Sequence, residues 1–190
     1  MRTACLVLAM LAASIAPIAH GQAVTVIGGG MARDCFEAVE SGRGSPDEAM
    51  RSCDLALLQE RLSRHNRAAT YINRGILFMR DGRFERAMYD FERGIESKPE
   101  LKEAQVNYGA ALYNLQRYQD AMTALNQGIE TDDPRAKAVA HYNRALTHEK
   151  LGDVTAAYYD FKAAIDIQPG FDLAVQQLTR FQVVPASQAR

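Results

Sequence analysis

An all-α solenoid of stacked helical hairpins is the fold this sequence predicts, on three observations. Segments beginning at Ala68, Lys102 and Ala138 align with one another at a shift of 34 and then of 36 residues. Within them small residues recur in fixed columns (Gly75, Gly109, Ala145; Ala87, Ala121, Ala157; Gly94, Gly128, Ala164), while Phe91, Leu125 and Phe161 share a column of bulk. Small residues recur where two helices must approach, and large apolar ones where the gap must be filled. Gly82 and Gly152 mark a tight turn inside their units, and Pro99 and Pro169 end the second helix. One hairpin cannot bury its apolar face alone, so neighbours must stack.

The whole chain permits such a core. It has 190 residues, 47% apolar and 24% charged, with a formal net charge of -1. That balance suits a packed domain and argues against nucleic acid or an anionic membrane as partner.

Residues 1–23 read as a signal peptide: Met1-Arg2-Thr3 is a minimal basic start, and Ala4 to Ile18 form an almost unbroken apolar run. Pro17 ends the run, and cleavage is expected after Gly21 or Ala23. The run is shorter than the roughly 20 residues of a membrane-spanning helix, so no stable membrane insertion is expected once the leader is cut. Cys5 lies too early for a lipid-modified start. Export to the periplasm, or secretion, is the localisation these features predict.

Residues 24–30 follow in the stretch VTVIGGGMARDC. A β-branched run followed by three glycines suggests a nucleotide-binding turn, but that fingerprint needs glycine at its first, third and sixth positions. Starting from Gly28, the sixth is Arg33, and no alternating βα units follow to build a sheet. The glycines read instead as a flexible lead into a helix near Ala32.

Residues 31–66 read as a degenerate first hairpin, turning at Ser41-Gly42-Arg43-Gly44-Ser45-Pro46. Cys35 and Cys53 are the two cysteines left after export, and they stand symmetrically about Gly44. Equal rise on two antiparallel arms brings such positions level, and an oxidising compartment favours a disulfide over two buried thiols. Three repeats follow at 68–101, 102–137 and 138–170. The second lacks the turn glycine, having Gln116, and carries a two-residue insertion at Asp132-Asp133-Pro134 that is expected to lengthen a loop. Residues 171–184 read as a capping helix that covers the last apolar face, and 185–190 as a mobile tail.

The repeat spacing, the small residue of the first helix, the Ala-x3-Phe stretch of the second and the closing Pro resemble the tetratricopeptide repeat family, over Ala68 to Gly170. The resemblance implies a right-handed solenoid whose first helices line a concave groove that holds partner peptides. By that alignment, the groove columns contain Ile72, Asn73, Ile76, Met79 and Arg80 in the first copy. Val106, Asn107, Ala110 and Tyr113 stand there in the second, and Tyr142, Asn143, Leu146 and Glu149 in the third. Some family members clamp a C-terminal carboxylate with Lys and Asn. Here Ile72, Ile76, Tyr142 and Leu146 stand where that clamp needs polar or cationic groups, which leaves only Asn107.

No constellation of catalytic residues emerges. His148-Glu149-Lys150-Leu151-Gly152 begins like a zinc-protease helix, but its fifth residue is glycine, so the second imidazole is missing. His141 and His148 can share a helix face without a third ligand, and His148 falls in a packing column. Glu85, Asp90, Asp120 and Asp160 recur on the second helices with Arg and Lys nearby, a spacing expected of solvated faces. No metal or cofactor is expected.

Three functional readings stay open on the sequence. The leading one is a non-catalytic interaction module, not an enzyme, holding an apolar or amphipathic protein or peptide segment. The second is a self-assembling scaffold, hence a homo-oligomer. The third, a nucleotide- or flavin-binding enzyme, rests only on the glycine stretch.

Overall fold

The computed structural model describes residues 5–7, 17–19, 23–43 and 45–184. Cleavage after Gly21, the Gly44 pivot and the tail 185–190 all lie outside the described residues. Four helical hairpins follow in order: α1 (Met31–Ser41) with α2 (Pro46–Gln59), α3 (Arg64–Arg80) with α4 (Phe84–Ser97), α5 (Lys102–Asn114) with α6 (Tyr118–Gly128), and α7 (Pro134–Lys150) with α8 (Val154–Ile167). Each hairpin packs on the next, and α1, α3, α5 and α7 are neighbours in sequence order along one side. A last helix, α9 (Asp172–Leu178), packs on α8. The fold is the expected α-solenoid.

Close approach within each hairpin explains the small-residue columns. A Cβ on Gly75 would stand 2.5 Å from the Phe91 ring, and one on Gly94 2.8 Å from Ile72. The second copy repeats the fit, Gly109 against Leu125 at 2.6 Å and Gly128 against Val106 at 2.7 Å. Buried Phe161 fills the same column in the third copy, in one apolar cluster with Ala145 and Ala164.

The seventh residue of each copy stitches the stack together. Arg74 donates two 2.7 Å hydrogen bonds to Asp90 on its own hairpin and a third, also 2.7 Å, to Asp54 on α2. Arg144 does the same with Asp160, at 2.7 Å twice, and reaches Asn126 on α6 at 2.8 Å. The second copy has Tyr108 and Ala124 in those columns, and the Tyr108 hydroxyl crosses to Glu92 on α4 at 2.8 Å. Asp90 and Asp160 are therefore not on solvated faces. They are 1% and 5% exposed, because each takes a forked guanidinium from the facing helix, a partner that helical spacing along one segment does not reveal.

Several expected details differ in the structure. The lead 24–30 is not a loose joint: Val24 and Val26 are buried, and Gly30 adopts φ 89° at the start of α1, where a side chain would strike Glu60. The Glu60 carboxylate accepts from Met31 N at 2.6 Å and Ala32 N at 3.3 Å, which satisfies donors at the positive end of that helix. The insertion in the second repeat lengthens the loop by only one residue, five residues at 129–133 against four at 98–101, and the rest goes into the next helix. Asp133 accepts from Arg135 N and Ala136 N at 2.8 and 3.0 Å, and Pro134 opens a longer α7. The capping helix spans Asp172–Leu178 only. A short strand, β2 (Gln182–Val184), follows it and pairs antiparallel with β1 (Cys5–Val7).

Cys35 and Cys53 are joined, with Cα atoms 4.9 Å apart, pinning α1 to α2 as the symmetric spacing predicted. Turn geometry is kept even where glycine is lost: Gln116 sits at φ 60°, beside φ 71° for Gly82 and 85° for Gly152. A left-handed conformation is costly for a residue with a Cβ.

Two outcomes follow from these contacts. Gln116→Gly relieves that cost and should stabilise the chain by roughly 0.5–1 kcal/mol, net of glycine's greater unfolded entropy, measured by urea unfolding. At Asp160 burial opposes ionisation, yet hydrogen bonds from His141 and Arg144 outweigh it and hold the carboxyl below its usual range. A folded value below the unfolded one means the contribution is complete at neutral pH and is lost as pH falls through the folded value. Asp160→Asn should therefore cost about 2–4 kcal/mol near pH 7 and clearly less in strong acid, compared by denaturation at both pH values.

Candidate peptide-binding groove

Asn73, Asn107 and Asn143 occupy equivalent positions on α3, α5 and α7. All three are buried. Two of them grip the chain's own N-terminal segment. Asn143 accepts from Ala19 N at 3.1 Å and donates to Ala19 O at 2.9 Å. Asn73 does the same for Val24, at 2.8 and 2.9 Å. Asn66 repeats the pattern with Ile27 at 3.1 and 2.7 Å. A residue offers its N–H and C=O to one side when the chain is extended, so each side-chain amide stands in for a neighbouring β-strand. The segment runs antiparallel to the order of the repeats, from α7 towards α3. Asn107 Nδ2 is buried and has no hydrogen-bond partner among the described residues.

Other groups complete the grip. The Tyr142 hydroxyl donates to Pro17 O at 2.8 Å, and its ring rests on Phe161 and Phe171 at centroid distances of 5.6 and 5.2 Å. Burial pushes the Tyr142 phenol well above its usual range, which keeps the donor proton in place. His65 Nε2 donates to Thr25 O at 2.9 Å, and Lys98 donates to His65 Nδ1 at 3.2 Å, which together select the Nε2–H tautomer. Ile18 and Ala23 pack against the flanking apolar clusters.

The residues named from sequence sit in three settings. Asn73, Tyr142 and Asn143 touch the bound segment. Ile72 and Val106 point into their own hairpins, against Gly94 and Gly128, while Ile76, Met79, Ala110 and Leu146 are buried. Arg80 donates to Val39 O at 3.0 Å and so ties α3 to α1. Glu149 is held by Arg180 at 2.8 and 3.3 Å. Tyr113 is half-buried, edge-on to Tyr118 at 5.4 Å, and burial pushes its phenol up to about 12. His141 and His148 lie 2.9 and 3.7 Å from Asp160, alongside Arg144. Among the described residues no helix is long and apolar enough to cross a membrane.

Asn66 and His65 escaped the sequence reading because they precede the repeat frame, on the extra first turn of α3. A signal existed: Asn66 stands two helical turns before Asn73, hence on the same face.

Family models of the tetratricopeptide repeat match residues 78–146 and 138–171. The chain belongs to the tetratricopeptide repeat family. No curated protein matches it in sequence. Among solved structures, MamA from Desulfovibrio magneticus RS-1 aligns at a TM-score of 0.62 and 22% identity, over 79% of this chain and 82% of that one. YrrB, described as a tetratricopeptide repeat protein with an unusual peptide-binding site, aligns at 0.61 and 21%, over 77% and 71%. These two likenesses concern the fold. The second repeat domain of human RPAP3, in complex with the HSP70 peptide SGPTIEEVD, aligns at 0.56 and 27%, over 62% of this chain and 96% of that domain.

The two amide grips on Val24 and Ile27 differ in exposure, which yields a graded outcome. Asn73→Ala leaves the buried Val24 N–H and C=O unpaired and should cost about 2–3 kcal/mol, with faster hydrogen exchange at Val24. Asn66→Ala acts at an exposed site and should cost well under about 1 kcal/mol, both measured by denaturation and amide exchange.

Proposed function

We propose that this tetratricopeptide repeat protein is an exported, non-catalytic interaction module whose concave groove holds an extended segment of a partner protein. The observation that carries the reading is the pair of buried asparagine amides bracketing Ala19 and Val24, since they present main-chain recognition to any extended chain. Peptide complexes of the RPAP3 repeat domains support the use of such a scaffold for protein binding. The apolar flanks of Ile18, with the ring of Tyr142 nearby, favour an apolar or amphipathic segment over an acidic one. Buried Ile72 and Leu146 offer no cation to a carboxylate. Export is supported by the basic start, apolar run and small residues of the leader, and by the Cys35–Cys53 disulfide.

Photo-crosslinking in cells from a probe at Tyr113, followed by mass spectrometry, tests the reading. A discrete partner should be captured from the envelope, and Asn143→Ala should reduce its yield severalfold. Equal yield from both forms would count against the groove as the site.

A further inference from the structure

The segment in the groove has two parts that export would separate. Pro17–Ala19 lies on Tyr142 and Asn143 of α7, while Val24–Ile27 lies on Asn73, His65 and Asn66 of α3. Cleavage after Gly21 or Ala23 removes the first part. It leaves the second covalently joined to α1, held by its own amide pairs and by buried Val26. We infer that Pro17–Ala19 of the leader is a built-in plug: processing opens only the α7 half of the groove, around Asn143 and Tyr142, to an extended partner segment of small apolar residues, while the retained Val24–Ile27 stub keeps the α3 half closed.

Three observations define what the opened half accepts. Asn143 reads one residue through its main chain alone, so the partner's sequence is tolerated wherever an N–H is free. Ala19 is buried beside the aromatic floor of Tyr142, Phe161 and Phe171, a fit for a small side chain rather than a long or charged one. Asn107, the next position towards α3, has a buried amide donor without a partner among the described residues, and it offers a second main-chain contact to an incoming chain. The bound direction follows the leader, antiparallel to the repeats.

This inference rests on the proposed interaction function and is tested separately from it. Two forms are compared: the full chain, and the processed chain recovered after export, its start read by N-terminal sequencing. Each is titrated with a synthetic peptide of residues 14–21, Ser-Ile-Ala-Pro-Ile-Ala-His-Gly, while side-chain amide resonances of Asn107 and Asn143 are followed by NMR. The processed chain should begin between Gln22 and Val24 and bind the peptide with shifts at both amides. The full chain should bind at least about 10-fold more weakly, and the peptide N-methylated at the Ala19 position should lose a similar factor, having no N–H for Asn143. Tyr142→Phe keeps the ring packing and should lose a few-fold in affinity, as one hydrogen bond to the Pro17 carbonyl predicts. Equal binding by the two forms, indifference to N-methylation, or a start outside that window overturns the inference. Partner capture in cells that persists despite such a result leaves the interaction reading standing, whereas peptide binding without any captured partner refutes that reading and keeps the plug.

Discussion

The fold depends on how closely two helices can approach inside one hairpin. Gly75 and Gly109 leave room for Phe91 and Leu125, and Gly94 and Gly128 leave room for Ile72 and Val106. Each large side chain thereby reaches full burial across a hairpin rather than between repeats. The hairpin becomes a rigid slab with two faces, and stacking slabs is then the way to cover what remains apolar. Everything the groove does follows from the register this sets, because it places Asn73, Asn107 and Asn143 on successive helices at the same height.

Stacking needs more than apolar faces, which slide easily past one another. The residue at the seventh position supplies direction. Arg74 and Arg144 each bind a carboxylate of their own hairpin and then extend one nitrogen to the preceding repeat, to Asp54 and Asn126. Where the second copy abandons the Arg–Asp pair for Tyr108 and Ala124, the Tyr108 hydroxyl still makes the crossing contact, to Glu92. Glu92 and Asn126 occupy equivalent positions, so the link between repeats persists while the ion pair within the hairpin does not. Removing both members of a buried pair avoids the stranded charge that removing one would leave.

The groove is chemically spare. It is built from amides, phenols and one imidazole, groups that exchange hydrogen bonds with a main chain without needing a complementary charge. The carboxylates near it are already engaged, Glu149 by Arg180 and Asp160 by Arg144 and His141. Such a surface recognises conformation before sequence: an extended chain satisfies each amide twice, whereas a helix keeps its N–H and C=O groups for itself.

Much of this was legible in the sequence. The shifts of 34 and 36 residues, the glycine and alanine columns and the symmetric cysteines determined the hairpins, their order and the disulfide, because helical packing at close range constrains residue size locally. Asn73, Asn107 and Asn143 stood out as a column for the same reason. What the sequence could not disclose were relations between segments distant along the chain. The pairing of Arg74 with Asp54, the burial of Val26, the Glu60 cap on α1 and the placing of Ala19 against Asn143 join residues whose nearness is decided by the stack. Val24 to Ile27 read as a loose lead because β-branched residues and glycines carry no helical period. Only the tertiary structure set Asn73 and Asn143 of that column against an extended chain, each as its missing strand partner.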